Sequence, residues 1–256
     1  MTANTLLAVF AHPDDESLVA GGTLKACSES GLTTIVICLT LGEQGPITEP
    51  NLATRETLGT VRECELRAAC ETLGVTAVEC FDYPDGSLAW ADSAEIEKVL
   101  SERIKYWQPE IIITFGPEGL YWHPDHIAVH ELTKATLSSL RNEEFSPTVY
   151  YATYPVGLMI ELAQELESRG INFNAWGLKP DAFGVPSSTI TTRLDIRGHL
   201  NTKINALNCH RTQFARDNVF IALPHELAEE FLGWEFFVKA DSSNTHQDKL
   251  AEIMGK

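Results

Sequence analysis

The sequence predicts an α/β fold of the Rossmann-like type, with a mainly parallel sheet and helices on both of its faces. Short apolar runs typical of buried strands alternate with longer segments of helical spacing, and several of these helices stop at Gly or before Pro. Five such strands occur before Pro155. Repeated strand–helix units favour parallel pairing, because a helix between two strands returns the chain to the same end of the sheet.

The first half of the chain contains four strands and the helices between them. Residues 6–11 form an apolar run bounded by polar residues, which is typical of a buried strand, and residues 16–30 form a helix that ends at Gly31. The β-branched segment 33–41 predicts the second strand. The next elements are a loop over 42–52, a helix over 55–73 ending at Gly74, a strand over 77–81, a helix over Ser93–Trp107 stopped by Pro109, and a strand over 110–115.

The second half of the chain has weaker patterns. A helix is expected to begin near Pro124, and residues 148–154 predict the fifth strand. Beyond Pro155 the expected elements are a helix over 157–168, a strand over 187–194, a helix over 198–214, a strand over Trp234–Lys239 and then a polar tail.

The composition disfavours two classes of partner. The formal net charge is −17, which leaves no general basic footprint for nucleic acid and no attraction to anionic membrane surfaces. No apolar run approaches the roughly 20 residues of a membrane span. We therefore expect no nucleic-acid partner and no membrane span.

The N-terminus and the cysteines favour a cytoplasmic protein. No Lys or Arg precedes the apolar run at 6–11, so a secretory signal peptide is not expected. The six cysteines form no C-x-x-C pair, and several lie in apolar runs where a reduced thiol packs as a small apolar side chain. The absence of a G-x-G-x-x-G fingerprint and of a G-K-[ST] phosphate loop disfavours a nicotinamide enzyme and a nucleotide hydrolase.

Two short polar segments follow predicted strands one and four. The first, at 11–16, reads Ala-His-Pro-Asp-Asp-Glu, and the second, at 123–126, reads His-Pro-Asp-His. If the strand order is 3-2-1-4-5, strands one and four are neighbours at the point where the order reverses, and ligands of open α/β sheets bind there. The fold therefore brings these two segments to one crevice.

Two histidines and one carboxylate with an open coordination position make a catalytic zinc site, and a second carboxylate can act as general base. Each segment alone also fits a simple turn in which Asp14, Asp15 or Asp125 caps the next helix. His130 is better explained as an ordinary helical residue. Surface positions are expected for three further histidines that have no partner pattern: His199, His225 and His246.

The two segments together resemble the PIG-L/LmbE-like family, zinc-dependent N-acetylglucosaminyl deacetylases. Residues 40–45 look like the family's T-x-G-E-x-G turn, and residues 62–65 look like the start of its R-x-x-E helix. Asp85-Gly86 matches a D-G turn, and residues 203–213 resemble a K-x-x-A-L-x-x-H-x-[ST]-Q helix. The motifs occur in the family's order across residues 6–214. Residues 1–256 are accordingly expected to form one deacetylase domain, with 155–190 as the segment that sets substrate preference.

The resemblance implies a role for each matching residue. The implied zinc ligands are His12, Asp15 and His126, with one Zn²⁺ per chain. Asp14 would be the general base, and a protonated His123 would stabilise the oxyanion or protonate the leaving amine. The implied substrate-binding residues are Arg62 and Tyr121. Structural roles are favoured for Glu43 and Gln213, and His210 fits either site support or helix packing.

The predicted function is removal of an N-acetyl group from an N-acetylglucosamine-containing small molecule, giving acetate and the free amine. His and carboxylate ligands also suit Fe²⁺, Mn²⁺ or Co²⁺. An amide hydrolase acting on a thiol conjugate, a lipid-linked sugar or an acylated natural product uses the same motifs. A metallophosphatase needs more ligands than the three found here, and a structural zinc site normally has four ligands, commonly with cysteine. Family members are often homo-oligomers, so a homo-oligomer is expected.

Overall fold

A computed structural model describes residues 4–142, 145–240 and 248–255 of the chain. Its central feature is one seven-stranded sheet in the order β3-β2-β1-β4-β5-β7-β6. The strands are β1 (Thr5–Phe10), β2 (Thr33–Thr40), β3 (Ala77–Tyr83), β4 (Ile111–Phe115), β5 (Thr148–Thr153), β6 (Thr192–Asp195) and β7 (Trp234–Lys239). The first five strands pair in parallel, which confirms both the predicted fold class and the predicted strand order 3-2-1-4-5. β7 and β6 extend the sheet with antiparallel pairs.

The sheet is surrounded by helices. They are α1 (Asp15–Glu29), α2 (Leu58–Leu73), α3 (Ser93–Trp107), α4 (Gly119–Trp122), α5 (Pro124–Leu140), α6 (Leu158–Ser168), α7 (Leu200–Leu207), α8 (Val219–Ala222), α9 (His225–Leu227) and α10 (Lys249–Met254). None of the helices in the described part of the chain has both the length and the apolar character that crossing a bilayer requires.

The central strands and α1 are buried because they lie between two layers. Every residue of β1 is buried, as is every residue of β2 after Thr33. Strands covered on both faces have continuous apolar sequences, which is why these two strands were visible in the sequence. Helix α1 also packs closely against neighbours. A Cβ at Gly22 would lie 2.5 Å from Cβ of Ile196, so only glycine fits there without movement.

Three predicted elements in the second half differ from the structure. The strand expected over 187–194 is β6, which begins only at Thr192, since Ser187–Thr189 form a 3-10 turn after Pro186. The helix expected over 198–214 ends at Leu207. The Glu65 carboxylate accepts hydrogen bonds from the Thr212 N–H and hydroxyl, which stabilises a non-helical path.

The polar tail expected after β7 contains a helix, α10. Asp248 caps it by accepting a hydrogen bond from the Ala251 N–H, and also accepts from the Tyr150 and Thr192 hydroxyls. Leu250 is fully buried. Residues 241–247, including His246, lie outside the described residues.

Candidate active site

The ends of β1 and β4 position the two polar segments found in the sequence. β1 pairs with both β2 and β4, so the strand order reverses beside it. His12 lies two residues after the end of β1, and the residues from Gly116 to His126 follow β4. The carboxyl ends of parallel strands lie at the same edge of the sheet, where a crevice forms at such a reversal. The fold therefore brings residues more than 100 positions apart into contact.

Donor atoms of three residues meet at this edge. His12 Nδ1 lies 3.2 Å from His126 Nε2. Asp15 Oδ1 lies 3.2 Å from His126 Nε2, and Asp15 Oδ2 lies 3.6 Å from His12 Nδ1. Ligands about 2.0–2.1 Å from a tetrahedral zinc ion are separated from one another by roughly 3.3–3.4 Å. The donors thus have the mutual spacing of tetrahedral ligands, and this His and Asp group could hold a divalent metal.

The opposite nitrogens of the two rings are already hydrogen-bonded. His126 Nδ1 lies 3.1 Å from the Gly119 carbonyl oxygen, and the ring stacks on Phe115 at a centroid distance of 3.9 Å. His12 Nε2 lies 3.1 Å from Asp85 Oδ1 and 3.3 Å from Asp125 Oδ2. Because the carboxylates and the carbonyl accept hydrogen bonds from N–H groups on those outer nitrogens, the inner ring nitrogens present lone pairs to the shared space.

A second acidic group, formed by His12, Asp85 and Asp125, also lies within metal-binding distance. Its carboxylates are occupied by backbone donors. Asp125 accepts from the N–H groups of Gly86 and Leu88, and Asp85 accepts from the Gln44 N–H. We therefore assign these carboxylates to orienting the His12 ring. Burial acts to raise the pKa of Asp85, but His12 and the Gln44 N–H hold that pKa at about 2.

Asp14 lies beside the donor group with an unusual backbone. Its φ of 123° is one that residues other than glycine rarely adopt. Its Oδ2 accepts a hydrogen bond of 3.0 Å from Arg62 Nη2, and its N–H donates to Glu16 Oε2. Burial raises the pKa of Asp14 to about 7 even though Arg62 acts to lower it. A carboxylate with this pKa can accept a proton near neutral pH.

The Arg62 guanidinium lies beneath a glycine turn. Its Nη1 donates to the Gly42 carbonyl, and its Nη2 donates to the Pro13 carbonyl as well as to Asp14. A Cβ at Gly45 would lie 2.5 Å from Nη1, and one at Gly42 would lie 2.2 Å from it. The two glycines therefore leave the space that the guanidinium occupies.

His123 is the N-cap residue that precedes α5, and it borders the same cavity. Its Nδ1 accepts a hydrogen bond from the Asp125 N–H, so the neutral ring carries its proton on Nε2. Burial lowers the pKa of His123 to about 4, and His12 and His126 act in the same direction. The geometry therefore favours a neutral Nε2–H donor at His123, and the protonated ring implied by the resemblance stays a prediction.

The crevice opens into a cavity of about 380 Å³. Tyr121 contributes its ring to the wall and contacts the rings of His126 and Phe183. Burial raises the pKa of the Tyr121 hydroxyl well above its ordinary value, and Asp15 and Asp14 add to that effect.

The buried, hydrogen-bonded pair His210–Glu16 contacts the backbone of Asp14. His210 Nε2 lies 2.8 Å from Glu16 Oε1, and the other Glu16 oxygen accepts from the Asp14 N–H. Burial acts to lower the pKa of His210, but Glu16 raises it above the ordinary value. Glu43 accepts from the Asp85 N–H, and Gln213 donates to the Pro46 carbonyl, so both hold loops.

Several residues that border or support the site, among them Asp85, Asp125 and Trp176, were not identified from the sequence. Asp85 belonged to a recognised turn motif, and Asp125 belonged to the second histidine segment, but neither was assigned a role toward His12. Only the fold reveals that both contact His12. Trp176 lines the cavity from a segment without any recognised motif, so no sequence signal pointed to it.

Comparison with known families identifies the chain. The family model described as PIG-L, GlcNAc-PI de-N-acetylase, matches residues 7–137. This chain belongs to the PIG-L family. The 1D-myo-inositol 2-acetamido-2-deoxy-alpha-D-glucopyranoside deacetylase of Acidothermus cellulolyticus is 32% identical over 91% of this chain and 88% of that protein. The enzyme of the same name from Actinosynnema mirum is also 32% identical, over 92% and 91% of the two chains.

Solved structures support the fold of this PIG-L family member. The N,N'-diacetylchitobiose deacetylase of Pyrococcus horikoshii superposes with a TM-score of 0.64 and 23% identity, over 98% of this chain and 89% of its own. The hydratase GalB of Pseudomonas putida has a TM-score of 0.57 and 23% identity, over 90% and 83% of the two chains. Both likenesses concern the fold alone.

Proposed function

We propose that this protein is a zinc-dependent N-deacetylase that acts on a small molecule containing N-acetylglucosamine. The observation that carries the proposal is the meeting of His12, Asp15 and His126 at tetrahedral spacing, with the carboxylate of Asp14 beside them. The relatives named for the deacetylation of an N-acetylglucosaminyl inositol support the choice of reaction.

The metal ligands in this proposal are His12 Nδ1, Asp15 and His126 Nε2. Zn²⁺ held there would polarise the acetamide carbonyl and favour ionisation of a water molecule. Asp85, Asp125 and the Gly119 carbonyl hold the two imidazole rings in the orientation that binding requires. Fe²⁺, Mn²⁺ and Co²⁺ suit the same donors.

The remaining groups act on protons and charge. Asp14 accepts the proton of the attacking water, whose oxygen forms the new bond to the acetyl carbon. The His123 Nε2–H donates a hydrogen bond to the carbonyl oxygen as negative charge develops there. Cleavage of the C–N bond then releases acetate, and the nitrogen takes the proton from Asp14 to leave as the free amine.

Arg62 and Tyr121 have different roles in this scheme. Arg62 is buried and bonded to Asp14, so it positions the base. Tyr121 lines the cavity wall and contacts substrate from there. The substrate-binding assignment made from the sequence is therefore kept for Tyr121 and changed to a positioning role for Arg62.

Acetate release from a panel of N-acetylglucosamine compounds tests the function. The panel contains the free sugar, diacetylchitobiose, an inositol glycoside and a malate glycoside, each assayed with zinc-loaded and with chelator-treated protein. We expect metal-dependent acetate from at least one member. No acetate from any of them, with zinc bound at one equivalent per chain, would reject N-acetylglucosamine deacetylation. Two equivalents per chain would instead favour a two-metal phosphoryl hydrolase.

A further inference from the structure

Asp14 occupies the N-cap position of α1 but does not cap the helix with its side chain. An Asp at this position ordinarily has an extended backbone with negative φ, and its carboxylate accepts from a backbone N–H of the first helical turn. In the described part of the chain the Asp14 side chain makes no such bond, and its φ is 123° with ψ −26°. The carboxylate instead lines the cavity, beside the residues proposed to hold the metal.

The peptide groups on both sides of Asp14 are held by hydrogen bonds. In the peptide group that precedes it, the Pro13 carbonyl accepts from Arg62, and the Asp14 N–H donates to Glu16 Oε2 at 3.0 Å. In the peptide group that follows, the Asp14 carbonyl accepts from the Leu18 N–H at 3.0 Å. A residue other than glycine is strained at this φ, and such strain persists only where the surroundings fix the backbone.

Both oxygens of the Glu16 carboxylate are used within the protein. Oε2 accepts from the Asp14 N–H, while Oε1 accepts from the Ser17 hydroxyl and lies 2.8 Å from His210 Nε2. The side chain of Glu16 is fully buried. Among the described residues, Glu16 belongs to neither group of His and Asp side chains that could hold a metal. Its contacts therefore act on the backbone of Asp14.

His210 is a fully buried histidine with one unsatisfied nitrogen. Its Nε2 donates to Glu16, because a carboxylate oxygen accepts, whereas its Nδ1 has no hydrogen-bond partner among the described residues. A buried polar atom without a partner costs free energy, so an apolar side chain would suit this position better if packing were its sole task. The bond to Glu16 is the contact that requires a histidine, and it joins the segment after α7 to the start of α1.

We propose that Glu16 and His210 are positioning residues for the base. His210 fixes the Glu16 carboxylate, Glu16 fixes the Asp14 N–H, and the Asp14 carboxylate is thereby kept out of the N-cap and beside the metal donors. This inference rests on the proposed function, in which Asp14 accepts the proton of the attacking water. Without the pair, Asp14 takes the ordinary N-cap conformation and accepts a hydrogen bond from the Ser17 N–H.

Crystal structures of zinc-loaded variants test the conformation of Asp14 without turnover. His210→Leu removes the donor to Glu16, and we expect the φ of Asp14 to become negative. His210→Gln is the matched control, because its amide offers an N–H in place of Nε2, and Asp14 should keep its conformation there. Zinc should stay at one equivalent per chain in both, since neither substitution changes a proposed ligand. An unchanged φ of Asp14 in His210→Leu would overturn the inference.

Glu16→Leu provides a second route to the same answer if His210→Leu fails to fold. The leucine side chain cannot accept from the Asp14 N–H, so the peptide group before Asp14 loses the partner of its N–H. We expect the same change to a negative φ and the same zinc content. A positive φ of Asp14 in the crystal structure of Glu16→Leu would also overturn the inference.

Kinetics of the zinc-loaded variants distinguish positioning from a general loss of structure. In His210→Leu we expect kcat to fall about 10–10²-fold with KM nearly unchanged, because a small displacement of a catalytic group has effects of this size. His210→Gln should recover most of that rate. Thr212→Val is the control for a loosened segment, because it breaks the hydroxyl bond to Glu65 and leaves Glu16 untouched. Equal losses of kcat in His210→Leu and Thr212→Val would contradict a positioning role.

A double variant tests whether the pair acts through Asp14. Once Asp14→Asn has removed the base, His210→Leu should cause no further loss of kcat, because both losses then have the same cause. If the two losses multiplied instead, His210 would act on another part of the site and the inference would be wrong.

The results separate the two proposals. Acetate release together with an Asp14 conformation that neither substitution changes removes the positioning role but leaves the deacetylase. A conformation that changes as expected, with no acetate from any compound of the panel, removes the deacetylase but leaves the control of Asp14 by Glu16 and His210.

Discussion

Asp14 is the residue on which turnover is expected to depend most. It lies beside the three residues proposed to hold the metal but is bonded to Arg62, so its carboxylate can change without removing a proposed ligand. We expect Asp14→Asn to retain zinc and to lose turnover about 10²–10⁴-fold, which is the usual contribution of a general base. His12→Ala is the comparison, and should lose zinc as measured by elemental analysis. Near-normal turnover in Asp14→Asn would reject the base assignment.

The pH profile should report the environment of Asp14. The base works as a carboxylate, so kcat/KM should rise with pH through the pKa of Asp14. Burial raises that pKa to about 7, and Arg62 acts to lower it. A bound divalent cation lowers it further, so we expect the acidic limb of the loaded enzyme below pH 7.

Replacement of Arg62 should shift the acidic limb of the pH profile, and this shift tests the link between Arg62 and Asp14. In Arg62→Met the carboxylate loses its cationic partner, so the acidic limb should move to higher pH, and kcat should fall more than KM rises. Arg67→Met is the control, because Arg67 pairs with Glu63 on the exposed face of the same helix, α2. A limb at the same pH in the Arg62 variant would contradict the coupling between Arg62 and Asp14.

At the scale of elements, the close approach of α1 to the segment after β6 should be sensitive to one methyl group. A Cβ at Gly22 would lie 2.5 Å from Cβ of Ile196, and both residues belong to well-packed segments. We expect Gly22→Ala to lower the free energy of unfolding by about 1–3 kcal/mol, the usual cost of overpacking. Urea denaturation measures it.

The control for this substitution is Gly198→Ala. A Cβ at Gly198 would meet no atom within 4 Å, and the backbone there does not have the positive φ that favours glycine. Stability should therefore be within about 0.5 kcal/mol of the parent. Equal stability of the Gly22 and Gly198 variants would mean that α1 can shift away from Ile196 at no cost.

The sequence predicted the elements of the parallel core well, because their burial produces continuous apolar strands and long helices. β1 and β2 were expected within one residue of their ends. The segment 208–214 was wrongly expected to continue the helix, since its path depends on the distant Glu65 carboxylate. Helix α10 was missed for a similar reason, because it is held by Tyr150 and Thr192 through Asp248. Contacts between remote residues leave no local pattern.

The site was predictable where it depends on short motifs and unpredictable where it depends on the fold. His12, Asp15, His126, Asp14 and His123 meet as the two segments suggested, although their roles stay predictions. The protonation state of His123 could not be predicted from the sequence, because its pKa depends on burial and on two neighbouring imidazoles. The burial of Arg62 could not be predicted either, because it depends on the space that the glycine turn leaves for the guanidinium.

At the scale of the whole molecule, one buried ion pair joins the antiparallel extension to the parallel core. Glu235 on β7 accepts from Lys203 Nζ at 2.8 Å and from the N–H groups of Gly22 and Thr23 on α1. Both side chains of the pair are nearly inaccessible. Removing one charge from such a pair leaves the other buried and unpaired.

Lys203→Met should therefore lower the free energy of unfolding by about 3–5 kcal/mol. Lys25→Met is the matched surface control, because Lys25 pairs with the half-exposed Glu29, and its effect should be about 0–1 kcal/mol. Guanidinium denaturation of both variants measures the difference. A similarly small loss of unfolding free energy in both variants would mean that apolar packing can replace Lys203.

The residues of this site are translated in two groups that lie far apart along the chain. The metal-donor residues and Asp14 lie within the first 126 positions, whereas His210 and Glu235, which support α1, are translated much later. Domains emerge with the N-terminal part first. The His210–Glu16 contact that backs Asp14, and the bonds from Glu235 to α1, therefore form only after the residues proposed to hold the metal have been made. Completion of the proposed proton-transfer group is a late event of synthesis, whereas its catalytic residues are early ones.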